Sequence, residues 1–269
     1  MIVVQRRNKI KERLFQQRSV KVSELVREFN VSEETIRRDL NQLERDGLVQ
    51  KNYGGAILVE EIDNVAIPPV QQRKLQYFDE KDAIGRKAAE LVTDNQIIIL
   101  DAGSTTWCMA RHLKQAKGLT VVTNGINVAE ECSHNEEASI FLLGGKLITK
   151  SMSLVGPQAE IELQKYNAHY VFLGSSGISM RKGFTSSDIY EAEIKKAMIA
   201  AGQKAVILAD HSKFLRHALV SFSSFDDVDI VITTDLVDPD ILRELEDTGV
   251  KVIVCPVKEA GEGSAAELR

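Results

Sequence analysis

The chain has 269 residues, enough for one large domain or two medium domains that each bury a hydrophobic core. Its formal net charge of −5 hides an asymmetry: residues 1–58 carry 12 Lys and Arg against 8 Asp and Glu, and the other residues carry 22 against 31. A basic head on an acidic body is typical of a protein whose head meets a polyanion.

Several classes of protein are disfavoured by the composition. No apolar run is long enough to span a bilayer and the start lacks a signal-peptide pattern, so we expect a cytoplasmic protein without a membrane partner. Cys108, Cys132 and Cys255 are odd in number and lie in apolar stretches, which predicts reduced, buried thiols. No Cys or His spacing suggests a metal site, and we expect neither a metal nor a cofactor.

The first 58 residues show the pattern of a helix-turn-helix unit. Ile10 and Leu14 mark a first helix, and Leu25 and Phe29 mark the inner face of a short second helix. A turn at 30–31 then leads into a third helix. Helix, short helix, tight turn and helix is the order of this DNA-binding unit.

The helix after the turn carries side chains suited to DNA. Ser32 can cap its start, and Ile36, Leu40 and Leu43 form a narrow apolar stripe. The rest of its surface carries donors near the helix start, namely Thr35, Arg37, Arg38 and Asn41. Such side chains reach phosphates and base edges when a helix lies in a major groove. Taken alone, this helix is better interpreted as an ordinary surface helix with a solvated charged face than as a DNA-binding helix. The neighbouring elements favour DNA binding.

A hairpin signal follows. Apolar stretches near 48–51 and 56–58 flank Asn52, Tyr53, Gly54 and Gly55, which predicts two strands joined by a glycine turn. A helix-turn-helix followed by a hairpin is a winged helix, and the wing tip commonly touches the DNA backbone.

This head resembles the DNA-binding signature of the DeoR family of bacterial transcriptional regulators. The resemblance rests on Ser32-x-x-Thr35-Ile36-Arg37-Arg38-Asp39-Leu40, on Arg6, Ile10 and Leu14 upstream, and on Tyr53-Gly54-Gly55-Ala56 downstream. We predict a double-stranded operator as partner, contacted by Ser32, Thr35, Arg37, Arg38, Asn41, Lys51, Tyr53 and Gly54. Asp39 is predicted to be structural and to hold an arginine, because a bare carboxylate near phosphates is unfavourable.

The remaining chain divides into a linker over 59–78, a body over 79–257 and a small polar tail over 258–269 that we expect to be disordered. Pro68 and Pro69 prevent a helix across the junction. The body alternates helical patterns with apolar strands near 96–100, 119–123, 139–143, 169–174, 204–209, 229–233 and 250–255. Helices are predicted between most of them, at 79–93, 104–117, 157–166, 188–201 and 239–247. This alternation predicts an α/β fold with a mainly parallel sheet covered on both faces.

Polar loops follow several of these strands, and ligands of parallel sheets collect at the carboxyl ends of the strands. The loop at 101–106 places a glycine and three hydroxyl residues at a helix start, which suits a phosphate or a simple capping turn equally well. The next strands end in Asn124 and in Gly144-Gly145. Glycine turns after strands are common, but several sets at one edge favour a pocket.

Two later stretches add charged residues. Glu191 and Lys195 are four apart, which predicts an ion pair on one helix face. Asp210, Ser212 and Lys213 follow a strand directly and suit a polyhydroxy, phosphorylated ligand. His211 is expected to be a turn residue that is hydrogen-bonded to the backbone.

The body resembles the effector-sensing domain of the DeoR family through 101–106, 123–124, 144–145, 183–198 and 210–214. The resemblance implies a fold similar to ribose-5-phosphate isomerase and release from DNA by a phosphorylated sugar. By that resemblance Ser104, Thr105 and Thr106 would hold phosphate, Lys213 would add charge, and Asp101, Asp188 and Glu191 would face sugar hydroxyls. The predicted effector-binding residues are Asp101, Gly103, Ser104, Thr105, Thr106, Asn124, Gly144, Gly145, Asp188, Glu191 and Lys213. Ser175 and Ser176 stand where many members carry an acidic residue, so the identity of the ligand stays open.

Two functions follow. The first is a transcriptional repressor of a carbohydrate-metabolism operon, expected as a homodimer or homotetramer because operators are commonly repeated or palindromic. The second is a sugar-phosphate isomerase with an added DNA-binding head, in which Glu191 would act as base beside Lys182 or Lys195. No further acid lies within 174–178, so we expect a regulator and not an enzyme.

Overall fold

The computed structural model describes residues 6–7, 9–10, 13–14, 17, 19–45, 49–52, 54–58, 61–62 and 68–257. These residues form a winged helix-turn-helix head and an α/β body built on one large sheet. The predicted wing residue Tyr53 and the predicted tail 258–269 lie outside the described residues.

The head consists of helices packed on a small antiparallel sheet. Its helical residues 6–7, 9–10, 13–14 and 17 are followed by β1 (Ser19–Lys21), α1 (Val22–Phe29), α2 (Glu33–Arg45), β2 (Val49–Asn52) and β3 (Gly55–Leu58). The strand order is β1-β3-β2, so β2 and β3 form the predicted hairpin. Ile10, Leu14, Leu25, Ile36 and Leu40 are buried in the core of the head. The predicted winged helix-turn-helix is confirmed.

Asp39 ties the first helical segment to α2. The Nε atom of Arg6 donates to its Oδ2 atom at 2.6 Å, and the Nε atom of Arg7 donates to its Oδ1 atom at 2.9 Å. Asp39 is 1% exposed, so its carboxylate is withdrawn from any approaching phosphate. The predicted structural role of Asp39 is therefore confirmed.

The linker folds back onto the body. Its elements are β4 (Glu61–Ile62), which pairs in parallel with β14 (Arg216–His217), and helix α3 (Val70–Leu75). The backbone N–H of Val70 donates to the carbonyl of Lys150 at 2.7 Å, and Lys74 Nζ lies 3.9 Å from the centroid of the Trp107 ring. Helix α3 begins directly after Pro69, whose fixed φ suits a helix start but not a helix interior.

Seven strands form the central sheet, and each matches a strand predicted from the sequence. They are β5 (Ile97–Leu100), β6 (Thr120–Thr123), β7 (Ser139–Leu142), β10 (Tyr170–Gly174), β13 (Ala205–Leu208), β16 (Ile230–Thr234) and β17 (Lys251–Cys255). Their order is β17-β16-β13-β10-β5-β6-β7, and all neighbours are parallel. Ile99 belongs to the hydrophobic cluster on one face, and Ile98 and Leu100 belong to the cluster on the other.

Helices cover both faces of this sheet. One face packs against α4 (Phe78–Ala89), α5 (Ser104–Ala110) and α6 (Ile126–Cys132), and the other against α7 (Pro157–Leu163), α8 (Ile189–Ala200) and α9 (Pro239–Glu246). The predicted α/β fold is confirmed. The helix predicted over 104–117 is shorter in the structure and ends at Ala110. The prediction was too long because buried Leu113 has the spacing of one more helical turn, although it lies in a series of turns.

Short antiparallel strands lie near the carboxyl ends of the central strands. They are the hairpin β8 (Lys146–Ile148) and β9 (Ser153–Val155), and the sheet of β11 (Gly177–Ser179), β12 (Gly183–Ser186) and β15 (Val220–Ser223). None was predicted, since strands of three or four residues between glycines and serines carry little periodic signal.

The strand order reverses between β5 and β10. The chain moves from β5 outward to β6 and β7, then returns to the other side of β5 with β10. The loops after β5 and β10 therefore leave neighbouring strand ends toward opposite faces of the sheet. Such a reversal opens a crevice in which open α/β sheets bind ligands.

Candidate functional site

Helix α2 exposes two arginines near its start. The Ser32 hydroxyl accepts a hydrogen bond from the Thr35 backbone N–H at 3.3 Å and lies 2.8 Å from the Thr35 hydroxyl, so Ser32 caps the helix as predicted. The Arg37 and Arg38 side chains are 59% and 76% exposed. Each faces an acid one turn earlier, Glu33 at 2.6 Å and Glu34 at 3.6 Å. Exposed pairs of this kind contribute little stability and are easily exchanged for phosphates.

Lys51 joins the wing to α2. Lys51 Nζ, on β2, donates to Asn41 Oδ1 at 2.5 Å and lies 2.8 Å from Glu44 Oε2. The hydrogen bond from Lys51 lowers the pKa of the Glu44 carboxyl. Gly54 sits at the hairpin turn with φ +110°, a left-handed conformation that glycine adopts without strain. The structure thus brings Asn41 and Lys51 together, and Gly54 forms the turn of the same hairpin.

A cavity of about 590 Å³ lies in the crevice at the strand ends. Its wall includes cationic side chains from four separate segments of the chain: Arg73, Lys81, Lys195, Lys213 and Arg216. The loop after β5 contributes Asp101, Gly103, Ser104 and Thr105. Glu191 completes the charged part of the wall. The strand reversal therefore coincides with a cavity in which positive charge exceeds negative charge.

The loop after β5 places Ser104 and Thr105 in the cavity wall and turns the Thr106 hydroxyl into the protein. Thr106 Oγ1 donates to the Asp101 carbonyl at 2.6 Å and accepts from the Gly103 N–H at 2.8 Å, and Thr106 is fully buried. Within the described residues, the Ser104 and Thr105 hydroxyls make no hydrogen bond to the protein. Two hydroxyl donors in the cavity wall are thus available to a ligand.

Lys195 joins this loop to β10 and α8. Its Nζ atom donates to the Asp101 carboxylate and to the Gly174 carbonyl, the latter at 2.9 Å. The Gly174 N–H in turn donates to Asp101 Oδ2 at 3.2 Å. The predicted helix-face pair of Glu191 with Lys195 is therefore wrong, because Lys195 points down to the sheet. Glu191 instead accepts from the Ser153 hydroxyl at 3.3 Å.

Lys81 holds the linker against the cavity, and the linker residue Arg73 lies in the same wall. Lys81 is 2% exposed, and its Nζ atom donates to the carbonyls of Arg73 and Gln76, at 2.6 and 2.5 Å. Burial lowers the pKa of Lys81, and burial also lowers the pKa of Arg73. The Nε atom of Arg73 is buried and has no hydrogen-bond partner within the described residues. A buried guanidinium edge without an acceptor is costly, and an anion in the cavity can satisfy it.

Asp210 organises the opposite wall. It is fully buried, and its Oδ2 atom lies 3.9 Å from Lys81 Nζ and 4.0 Å from Lys213 Nζ. Its Oδ1 atom accepts from the Ser212 N–H at 3.0 Å. The next residue, His211, was predicted to be hydrogen-bonded to the backbone; instead its Nδ1 atom lies 2.6 Å from Glu80 Oε1.

Comparison with known proteins matches both parts of the chain. Residues 6–62 match the family model of the DeoR-like helix-turn-helix domain, and residues 76–235 match that of the DeoR C-terminal sensor domain. This chain belongs to the DeoR family. It is therefore a DNA-binding transcriptional regulator by family, as its head indicates.

Individual relatives of this DeoR-family chain are similar along their whole length. An uncharacterized HTH-type transcriptional regulator, YulB, of Bacillus subtilis is 36% identical over 97% of this chain and 100% of its own. The glycerol-3-phosphate regulon repressor of Escherichia coli K12 is 33% identical over 93% of this chain and 98% of its own. Among solved structures, ribose 5-phosphate isomerase A of Neisseria gonorrhoeae covers 51% of this chain and 53% of its own, with 18% identity and a TM-score of 0.37. In the described ranges, no helix is long and apolar enough to cross a membrane.

The structure does not bring every predicted effector residue to the cavity. Asp101, Gly103, Ser104, Thr105, Glu191 and Lys213 line it, whereas within the described residues Thr106, Asn124, Gly144, Gly145 and Asp188 are not part of its wall. The Asn124 amide donates to the Leu154 carbonyl at 3.2 Å and ties β6 to β9. Gly144 and Gly145 form the turn into β8, with Gly145 at φ +136°. Asp188 caps α8 by accepting from the N–H groups of Tyr190 and Glu191.

Of the five cations in the cavity wall, the predicted effector residues included only Lys213. Arg73 and Lys81 flank the predicted junction between linker and body, and no local pattern says that this segment folds over the sheet edge. Arg216 lies on β14, which exists only through its pairing with β4. A sequence signal for these cations was the presence of Arg73, Lys74 and Lys81 within nine residues at the start of an otherwise acidic body.

Proposed function

We propose that this DeoR-family regulator is a repressor of a carbohydrate-metabolism operon and that a phosphorylated sugar in the cavity releases it from its operator. The observation that carries the proposal is the cationic cavity at the strand reversal, where the Ser104 and Thr105 hydroxyls and the Arg73 Nε atom have no hydrogen-bond partner among the described residues. Its volume of about 590 Å³ is in the range of small-molecule sites.

The charges of the wall support a phosphorylated ligand over a neutral one. Lys195 is hydrogen-bonded to Asp101, whereas Lys81 and Lys213 lie 3.9 and 4.0 Å from the buried Asp210 Oδ2 atom, beyond hydrogen-bond distance. Arg73 lacks a comparable acceptor for its Nε atom within the described residues, and Ser104 and Thr105 lie in the same wall. A phosphate dianion satisfies several donors of this kind at once.

Other groups of the wall suit the sugar part of such a ligand. Glu191 offers a carboxylate acceptor, and the Ser151 and Ser153 hydroxyls lie 2.7 Å apart in the same wall. Carboxylates and hydroxyls of this kind hydrogen-bond sugar hydroxyls. We infer that the phosphate lies toward Ser104 and Thr105 and the polyol toward Glu191.

The head supports operator binding by α2 and the wing. Arg37 and Arg38 would exchange their exposed partners Glu33 and Glu34 for phosphates and base edges of a major groove. Lys51 and Asn41, which are hydrogen-bonded to each other, and Gly54 at the hairpin turn would meet the backbone beside that groove. Binding of this type weakens as salt increases, since counterions are released from the DNA.

The linker supports the coupling between the two sites. The linker places Arg73 in the cavity wall, and two of its carbonyls accept hydrogen bonds from the buried Lys81. Its strand β4 pairs with β14, which carries Arg216. A ligand that engages Arg73 or Lys81 therefore changes how the linker is held, and the head is attached to that linker. By linkage, DNA weakens the binding of the effector by the same factor as the effector weakens DNA binding.

A band-shift assay with the promoter region upstream of the chain's own gene tests the proposal. We expect a shifted band at low salt, and we expect one member of a panel of sugar phosphates to reverse it while the matching free sugar does not. A protein that never shifts the fragment, or whose complex no sugar phosphate reverses, would overturn the proposal.

We propose further that the cavity does not catalyse isomerisation. Of the two lysines considered as polarising partners of Glu191, Lys195 is engaged by Asp101 and the Gly174 carbonyl, and Lys182 is not part of the cavity wall within the described residues. Incubation with ribose 5-phosphate is expected to give no ribulose 5-phosphate. Turnover that Glu191→Gln abolishes would reverse this assignment.

A further inference from the structure

The edge strand β7 exposes an apolar surface that the other described residues leave open. Phe141 and Leu142, on opposite faces of the strand, are 47% and 45% exposed. Leu147 on β8 and Ile161 on α7 are 39% and 60% exposed. At the opposite edge of the sheet, β17 contributes Val254, which is 42% exposed.

Strand β7 is anchored to the segment that contains α7. The Phe141 ring lies 5.8 Å from the ring of Tyr166, centroid to centroid, just beyond the end of α7. The Gly144 N–H donates to Glu162 Oε2 at 3.3 Å, which fastens the turn after β7 to the same helix. Strand β7, the turn that follows it and α7 therefore form a single wall.

The backbone of β7 is also open on one side. Among the described residues β7 pairs with β6 alone, so the N–H and carbonyl groups on its outer side face away from the sheet. Natural edge strands are usually protected by an inward charge, a proline or a bulge. The sequence Ser139–Leu142 contains no charged residue and no proline.

We propose that β7 pairs antiparallel with β7 of a second copy of the chain, across a two-fold axis near Phe141. Such an isologous contact continues the sheet from one copy into the other and covers Phe141 and Leu142 of both. It also presents two heads, as operators with two half-sites require.

Charge complementarity supports a second copy as the occupant. Exposed Glu136 and Glu137 precede β7, and exposed Lys146 follows it. Neither glutamate forms an ion pair within the described residues. An antiparallel pairing centred on Phe141 brings the acidic approach of one strand toward Lys146 of the second copy, whereas a parallel pairing would place like charges together.

Analytical ultracentrifugation of the full chain, without DNA or effector, tests this interface. Phe141→Lys places two ammonium groups opposite each other at the axis, so we expect the particle to fall to half the wild-type mass, with at least about a tenfold rise in the dissociation constant. Val254→Lys is the matched control on the opposite edge, and we expect it to keep the wild-type mass. A wild type that is monomeric, or a Phe141→Lys protein that keeps the wild-type mass, would overturn the proposal.

A cross-link decides the matter if Phe141→Lys fails to fold. Residues directly opposite in an antiparallel pair have Cα atoms about 4.5–5.5 Å apart, within the range of a disulfide. Phe141→Cys should therefore form a covalent dimer under mild oxidation, and Val254→Cys should not. The native thiols of Cys108, Cys132 and Cys255 are buried and do not compete. Equal cross-linking of both variants would refute the interface and leave the proposed function untouched.

Discussion

The ammonium of Lys195 donates a hydrogen bond to the carboxylate of Asp101, a residue 94 positions earlier in the chain. Both residues are buried, at 6% and 5% exposure, and the same ammonium also reaches the Gly174 carbonyl. One side chain from α8 thereby fixes both strand-end loops that open the cavity. The shape of the candidate effector site depends on this pair.

Asp101→Asn should lower the free energy of unfolding by about 3–5 kcal/mol, because it leaves the buried Lys195 ammonium without its countercharge. Chemical denaturation measures the loss. Adding Lys195→Met should recover part of it, since no unpaired charge then remains. Glu193→Gln, in the exposed pair with Lys196, is the control and should change stability by less than about 1 kcal/mol. An Asp101→Asn protein as stable as the wild type would contradict this role.

Arg37→Ala or Arg38→Ala should weaken operator binding, by about 1–3 kcal/mol for an arginine that contacts a base. Both side chains are exposed at the start of α2, so the fold should not suffer. Arg86→Ala is a matched control, because Arg86 also pairs with an acid one turn earlier but lies in the body. Fluorescence anisotropy with labelled operator gives the dissociation constants. Unchanged affinity in both head variants would mean that α2 does not dock as proposed.

Thr105→Asp should leave operator binding intact and abolish release. The new carboxylate would lie where the phosphate is proposed to bind, and like charges side by side cost several kcal/mol, so the dissociation constant of the effector should rise at least about a hundredfold. Calorimetry measures effector binding, and a band shift measures release. Thr105→Ser keeps the hydroxyl and should behave as the wild type. Normal release by Thr105→Asp would place the phosphate elsewhere.

Effector affinity should fall as the pH rises through the pKa of Lys81. Burial holds that pKa below its ordinary value of 10.5, and an anion in the cavity favours the protonated form. Binding above the pKa of the free protein must therefore take up a proton, which weakens affinity by up to about tenfold per pH unit. Below that pKa Lys81 is already charged, and the affinity is level once the phosphate is fully ionised.

Calorimetry from about pH 8 upward, above the second phosphate pKa of about 6, isolates this effect. Lys81→Met should bind more weakly and lose the slope. Lys213→Gln is the control, because it removes one cation from the same wall and should bind more weakly at every pH with the slope kept. A wild-type affinity that stays constant to pH 10.5 would exclude Lys81 from the site.

The sequence predicted the head and the seven central strands because both depend on short windows. The Ile36, Leu40 and Leu43 stripe and the run 97–100 each show their periodicity without reference to the rest of the chain. It also predicted that Asp39 is structural, from the chemistry of a carboxylate beside DNA. The predicted ion pair of Glu191 with Lys195 was wrong. Helical spacing shows which side chains can contact each other on one helix, but not that a buried lysine contacts the loops under the helix.

Local patterns thus determined a winged helix-turn-helix joined to a parallel α/β sheet, because backbone periodicity and apolar burial are properties of a few adjacent residues. Only the tertiary structure decided that Arg73 from the linker and Lys81 from α4 join Lys195, Lys213 and Arg216 around one cavity. Those side chains meet because the strand order reverses between β5 and β10 and the linker folds back over the gap. Contacts of that kind arise from packing between distant segments, and no single stretch of the chain encodes them.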